Sequence, residues 1–161
     1  MKQKKIEAYN GKHMPESVII ASDHAGFELK EQLKNVLHEQ GFAVEDIGTH
    51  SLDSVDYPDF GYAIANALIN NPTKRGIAIC GSGIGISMAA NRHAAVRCAL
   101  CHDGLSAELA RRHNDANVLA LGARLIGIEY AKDAVLRFLN TEFDGGRHQK
   151  RVEKLSNPPT T

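Results

Sequence analysis

The stretch Arg75–Asn91 reads RGIAICGSGIGISMAAN, and its order of residue types decides the fold. Gly76-Ile77-Ala78-Ile79 is a short apolar run with β-branched residues, which predicts a strand buried on both faces. Cys80 ends it, and three glycines fall within the next five residues, Gly81-Ser82-Gly83-Ile84-Gly85. Ile86-Ser87-Met88-Ala89-Ala90 then suits a helix. Strand, glycine turn and helix in that order form the corner at which open α/β sheets hold their ligands. Glycine lets backbone N–H groups come close to a ligand, and a helix N-terminus adds partial positive charge. The corner therefore suits an anion, either a phosphate or an oxyanion formed during a reaction, with a thiol at its mouth. The plainer alternative is a tight turn that binds nothing. Gly81-x-Gly83-x-Gly85 lacks the dinucleotide spacing and no Lys-Ser/Thr follows, so neither common nucleotide motif is present.

Outward from that corner, strands and helices alternate. Ser17–Ser22 is a first strand, ended by Asp23-His24-Ala25-Gly26. A helix follows from about Phe27 to Gln40, with Leu29, Leu33, Val36 and Leu37 in one stripe and Gly41 as its stop. Ala43–Ile47 is a shorter, more polar strand, expected near an edge, and residues 48–56 read as loop. A helix opens at Tyr57-Pro58-Asp59, carries Ala63, Ile64, Ala67 and Leu68, and ends at Asn70-Asn71-Pro72. Beyond the corner come a strand around residues 95–100 and a helix from about Gly104 to Arg112. A fifth strand follows at Asn117–Leu121, then a helix from about Gly127 to Thr141 with Ala131, Ala134, Val135 and Phe138 inward. Gly145-Gly146 breaks the chain before a basic terminal helix, 147–155. Five strands alternating with helices specify a three-layer α/β/α sandwich around a five-stranded parallel sheet, Rossmann-like in plan. One domain over 17–155 is expected, with polar tails at 1–16 and 156–161.

Composition fits that plan. The 161 residues suffice for one domain with a sizeable core, and 43% hydrophobic with 24% charged residues is ordinary for a globular chain. A formal net charge of +0 gives no electrostatic case for nucleic acid or an anionic membrane. No apolar run approaches the roughly 20 residues needed to span a bilayer. The basic start, MKQKKIEAYNGKHMPES, has no apolar core behind it, so it is read as a loose tail and not a secretory signal, with Met14 an alternative start. Three cysteines without a signal segment point to a reducing cytoplasm. Cys98-Ala99-Leu100-Cys101-His102 matches a haem-attachment pattern, but strand residues three apart face opposite ways, and both thiols are read as structural. One further cysteine is too few to complete a zinc site.

Ligands of parallel sheets sit beyond the carboxyl ends of the strands. Asp23-His24 follow strand one, Cys80-Gly81-Ser82 follow strand three, and Arg124 follows strand five. His113-Asn114-Asp115, after the fourth helix, are expected to join them. Arg124, Arg147 and Arg151 are candidates for gripping a phosphate monoester. Arg147 and Arg151 share a helix face at spacing four, which also fits a merely solvated basic helix end. Backbone amides and a helix start beside Cys80 favour the thiolate, as nucleophile or general base. His24 and His113 suit proton transfer near neutral pH. The residues alone therefore point to acid–base or covalent chemistry on a phosphorylated small molecule, with no recognisable metal-ligand spacing.

Five stretches together resemble ribose-5-phosphate isomerase B and its relatives, the galactose- and allose-6-phosphate isomerases. They are Ser22–Phe27, Asp56-Tyr57-Pro58, Cys80–Ser87, Arg112–Asn117 and Gly145–Arg151, in order across about 17–155. The resemblance implies interconversion of ribose 5-phosphate and ribulose 5-phosphate through a cis-enediolate, with neither metal nor organic cofactor. It implies Cys80 as the base at C2, a role that a glutamate elsewhere fills in some relatives, and Ser82 as the group moving a proton between the sugar oxygens. The amides of Gly81, Ser82, Gly83, Ile84 and Gly85, with Asn114, would hold the enediolate. His113, assisted by Asp23, would open the furanose ring. His24, Arg124, Arg147 and Arg151 would bind the phosphate, and Tyr57 would line the sugar site. It further implies a homodimer or a homotetramer, with His113, Asn114 and Arg124 reaching across an interface. A hexose-phosphate isomerase and a non-catalytic sugar-phosphate-binding subunit are the alternatives.

Overall fold

The computed structural model describes residues 17–160. The expected loose tail over 1–16 and the alternative start at Met14 lie outside the described residues, as does Thr161. The chain runs β1 (Ser17–Ser22), α1 (Phe27–Glu39), β2 (Ala43–Asp46), α2 (Tyr57–Asn70), β3 (Arg75–Cys80) and α3 (Ile84–Ala90). It continues through β4 (Cys98–Leu100), α4 (Gly104–Asn114), β5 (Val118–Gly122) and α5 (Ile128–Asn140), then a short 3-10 turn (Gly146–His148) and α6 (Gln149–Ser156). All strand pairs are parallel, in the order β2-β1-β3-β5-β4. The α/β/α sandwich expected from the alternation is the fold.

Burial explains which strands hold the centre. Every residue of β3 and β5 is buried, while β2 alternates exposed and half-buried residues at one edge. Ile20, Ile77, Ile79, Leu119 and Leu121 pack with α1, α4 and α5 on one face of the sheet. Ile19, Ala21, Ala78 and Cys80 pack with α2 and α3 on the other. The direction of strand order changes between β1 and β3, the neighbours from which connections leave in opposite directions. That switch point opens a crevice above their carboxyl ends, where Asp23-His24 and Cys80-Gly81 lie.

The fourth strand is shorter than the sequence suggests. Val96 N–H donates to the His93 carbonyl (2.9 Å) and Arg97 N–H to the Asn117 side chain (2.8 Å), so residues 95–97 form a side-chain-bonded turn before pairing begins. Cys98 packs on the α2/α3 side and Cys101 on the α1/α4/α5 side, as their spacing predicts. Burial, followed by the charge of Cys101, pushes the Cys98 thiol up to about 12.

Hydrophobic periodicity gives no sign of Lys30, which is 0% exposed on α1. Its ammonium meets both oxygens of Asp46 (2.7 and 2.6 Å) and Glu31 (3.2 Å), and Lys34 joins Asp46 at 2.7 Å. Burial pushes the Asp46 carboxyl up, but the hydrogen bonds from Lys30, Lys34 and the Gly48 amide outweigh it, so the net direction is down. Lys30→Ala removes one of two ammonium partners of Asp46 and empties the space its buried stem fills, while Lys34 and the Gly48 amide remain, so it should cost about 2–5 kcal/mol in urea unfolding at pH 7. A carboxyl depressed in the folded state stabilises above its unfolded pKa of about 4 and loses that contribution as pH falls through the folded value. The difference between Lys30→Ala and the parent should therefore shrink below about pH 4; a pH-independent difference would refute the pairing.

Candidate active site

At the carboxyl end of β3 the glycine turn closes over the thiol. Cys80 is only 4% exposed. Its sulfur accepts the Gly83 N–H at 3.1 Å. Ser82 Oγ accepts the Ile84 N–H at 3.2 Å, which leaves the hydroxyl hydrogen free to donate. These two bonds narrow the set of amides expected to hold an oxyanion. Those of Gly83 and Ile84 are engaged within the turn, whereas Gly81, Ser82 and Gly85 have no such N–H partner among the described residues. With seven residues, α3 is short, so local amides rather than a long macrodipole define the corner.

Two residues from other elements cover the turn. A Cβ on Gly85 would lie 2.5 Å from Cε2 of Tyr57, so only glycine lets that ring rest on the turn. A Cβ on Gly81 would lie 3.2 Å from an Nη1 of Arg124, which puts that guanidinium one residue from the thiol within the same chain. The Arg124 N–H also donates to the Gly81 carbonyl (2.9 Å), tying the loop after β5 to the corner.

Asp23 and His24 flank the crevice from β1. Asp23 N–H donates to the Ile79 carbonyl (3.1 Å), and its buried carboxylate accepts the Gly26 N–H (3.0 Å). One of its oxygens is thus committed to shaping the β1–α1 turn. His24 Nδ1 lies 3.1 Å from the Val55 nitrogen and 3.2 Å from the Val55 oxygen. An amide can only donate, so in the neutral ring Nδ1 accepts and Nε2 carries the hydrogen, free to donate to an anion. The loop holding His24 is pinned in turn: Asp46 accepts the Gly48 N–H (3.0 Å), and Gly48 and Thr49 exchange bonds with Ser22 (2.7 Å each).

The remaining candidates are elsewhere. His113 and Asn114 end α4, which leaves the carboxyl end of β4 and returns the chain to the amino end of β5. Its eleven residues cover about 16 Å. Within one chain His113 and Asn114 do not gather with Cys80 as the run of polar loop residues suggests: they occupy the opposite pole of the sheet, and their reach across an interface stays an expectation of the resemblance. There the His113 ring stacks on His148, with centroids 4.4 Å apart and planes 10° apart. Arg147 adjoins His148 in the 3-10 turn and Arg151 lies in the first turn of α6; loss of solvation, then the charges of His113 and these arginines, push His148 down. Asp144 receives Arg112 at 3.2 Å. Ligand atoms of His113, Asp144 and His148 lie within 4.8 Å of one another. The parallel rings do not aim their in-plane lone pairs at a common point, so the arrangement is a stack beside an arginine–aspartate pair and not a preformed metal cage.

The family model described as ribose/galactose isomerase matches residues 18–155. The chain belongs to that family. Ribose-5-phosphate isomerase B of Escherichia coli is 44% identical over 139 residues, covering 86% of this chain and 93% of that one. A ribose 5-phosphate isomerase structure from Thermotoga maritima shares 50% identity with a TM-score of 0.86, covering 88% of this chain and 98% of that one. The Mycoplasma genitalium enzyme, solved with bound ribulose 5-phosphate, shares 40% identity with a TM-score of 0.85, covering 89% and 96%. This protein is accordingly a sugar-phosphate isomerase of the ribose/galactose isomerase family. No helix among the described residues is long and apolar enough to cross a membrane.

Gly83 is the sensitive point of the corner. Its φ is +77°, and a Cβ there would meet Leu100 Cδ1 at 2.5 Å and the Leu121 backbone at 2.8 Å. Left-handed strain of roughly 1–2 kcal/mol and overpacking of about 1–3 kcal/mol combine, so Gly83→Ala should lose about 2–5 kcal/mol in denaturant titration. A loss below about 1 kcal/mol would show that the turn is looser than described.

Proposed function

We propose that this isomerase interconverts D-ribose 5-phosphate and D-ribulose 5-phosphate through a cis-enediolate. The observation that carries the reading is a recessed thiol bonded to a turn amide, in a turn that also holds Ser82 and has Tyr57 and Arg124 packed against its glycines. In this mechanism His113 first opens the furanose, taking the proton from the anomeric hydroxyl and returning one to the ring oxygen. Cys80 thiolate then removes the C2 proton, and the electron pair moves into the C1–C2 double bond while the C1 carbonyl becomes an oxyanion. The free amides of Gly81, Ser82 and Gly85, with Asn114 of a second copy, would hold that charge; each such donor lowers the barrier by roughly 3 kcal/mol. Ser82 moves a proton from O2 to O1, and Cys80 delivers its proton to C1, giving the ketose. Proton count and electrons close without an added reductant or oxidant.

The phosphate would be bound by His24 Nε2–H, Arg124, Arg147 and Arg151. Arg147 and Arg151 stand near the His113–His148 stack, so within one chain they belong to the amino pole. A complete site therefore needs the amino pole of a second copy against this carboxyl pole, and a homodimer or homotetramer follows as part of the proposal. Cytoplasmic operation fits a substrate of central sugar-phosphate metabolism and three free thiols.

The assay follows ribulose 5-phosphate formation from ribose 5-phosphate in the presence of a chelator, with allose 6-phosphate in parallel. Turnover of the hexose alone would replace the pentose assignment, and turnover of neither would favour a binding subunit. Cys80→Ala should abolish isomerisation while sugar-phosphate binding persists by calorimetry; an active alanine variant would remove Cys80 as the base. Arg147→Ala should raise KM about tenfold or more before kcat changes, as loss of a phosphate contact requires. An unchanged KM would exclude it from the phosphate site.

A further inference from the structure

Asp115 follows His113 and Asn114 directly, and neither composition nor the phosphate chemistry gives it a task. It caps α4 with φ +46° and ψ 42°, the left-handed conformation that glycine usually supplies at this position. Its N–H donates to the Arg111 carbonyl (3.1 Å), and the Ala116 N–H donates to the Ala110 carbonyl (3.0 Å), which closes the helix end. Backbone geometry alone would thus be served as well by glycine. The carboxylate must supply the difference.

That carboxylate is gripped from two sides. Arg111 Nη1 donates to Oδ1 at 2.9 Å, and Arg97 Nη2 donates to Oδ2 at 3.0 Å, while Arg97 Nε donates to the Asp115 carbonyl at 2.8 Å. Each arginine then reaches a different part of the chain. Arg111 Nε donates to the Thr141 carbonyl (3.2 Å), at the root of the segment carrying Asp144, Arg147 and His148. Arg97 Nη1 donates to Ser156 Oγ (3.2 Å), on the helix carrying Arg151. Asp144 N–H returns to the Arg112 carbonyl (3.0 Å), closing the ring of segments. Arg111 is buried, so its charge needs this partner.

We propose that Asp115 is a positioning residue whose carboxylate, held by Arg97 and Arg111, fixes together the segments carrying His113–Asn114, Arg147–His148 and Arg151. It touches no substrate in this scheme. Through two guanidinium groups it sets the distance between the ring-opening histidine and the phosphate-binding arginines. In that respect the inference rests on the isomerase reading given above.

The test uses full-length Asp115→Gly and Asp115→Asn. Glycine suits the backbone and removes the carboxylate; asparagine tolerates the left-handed conformation and keeps one acceptor oxygen without the charge. Kinetics with ribose 5-phosphate, well below each variant's melting temperature, should show KM raised at least fivefold and kcat lowered at least threefold for Gly, with Asn intermediate. Histidine Cε1–H signals in a ¹H–¹³C spectrum give a readout independent of turnover. The ring-current displacement of the His113–His148 stack should diminish in Asp115→Gly. Folded variants with kinetic constants within twofold of the parent and unchanged histidine signals would overturn the proposal. If the parent turns over no sugar phosphate, the functional reading fails, yet the histidine signals still decide whether Asp115 organises this pole.

Discussion

In a parallel sheet the chain must be carried back along the strands before the next one can begin. That constraint governs where chemistry resides in this molecule. Residues that follow strands collect at the carboxyl pole, and residues that end helices collect at the amino pole, separated by the length of the sheet. Cys80, Ser82, Asp23, His24 and Arg124 belong to the first group, and His113, Asn114 and the segment beyond α5 to the second. No local rearrangement within one chain brings them together, because β3 and β5 are wholly buried and the intervening helices are packed on both faces.

Each pole is built around a charge that cannot be left alone. At the carboxyl pole, buried Lys30 fixes Asp46, Asp46 fixes the Gly48 amide, and the loop that begins there meets His24 at Val55. At the amino pole, Arg97 and Arg111 hold Asp115. Both networks are directional. An apolar contact of equal strength would tolerate sliding, whereas charged hydrogen bonds of fixed geometry fix the register of a loop or helix end. The hydrophobic core decides that the sheet forms, and these polar ties decide where the site residues point.

Much of this was legible in the residues. The two-sided apolar run at Ile77–Ile79, the glycine turn and the alternation of strands with helices follow from periodicity and backbone chemistry, and the architecture agrees. The polar character of Ala43–Asp46 correctly marks an edge. Lys30 was not legible, because a lysine beside an apolar stripe reads as solvated until a distant carboxylate is known to meet it. The length of β4 was not either, since side chains of Asn117 and Asn91 bond the chain before it in ways no local pattern encodes. His113 is a different case: it ends α4, so topology alone separates it from the strand-end residues, which a grouping by polar motif does not do.

Recession of the thiol bears on why the corner needs three glycines rather than one. With Cys80 only 4% exposed, its thiol is shielded from solvent and oxidants, and what packs on the turn above it is selected by the three glycines. Gly83 supplies the left-handed conformation that brings its amide onto the sulfur, and Gly85 leaves room for Tyr57 to lie against the turn. Gly81 leaves room for the Arg124 guanidinium. Each glycine thus admits a different group, an amide, a ring or a cation, to a shared small volume around Cys80. A Cβ at Gly85 would overlap the Tyr57 ring and one at Gly83 the Leu121 backbone, whereas one at Gly81 asks the Arg124 side chain to give by only a few tenths of an ångström.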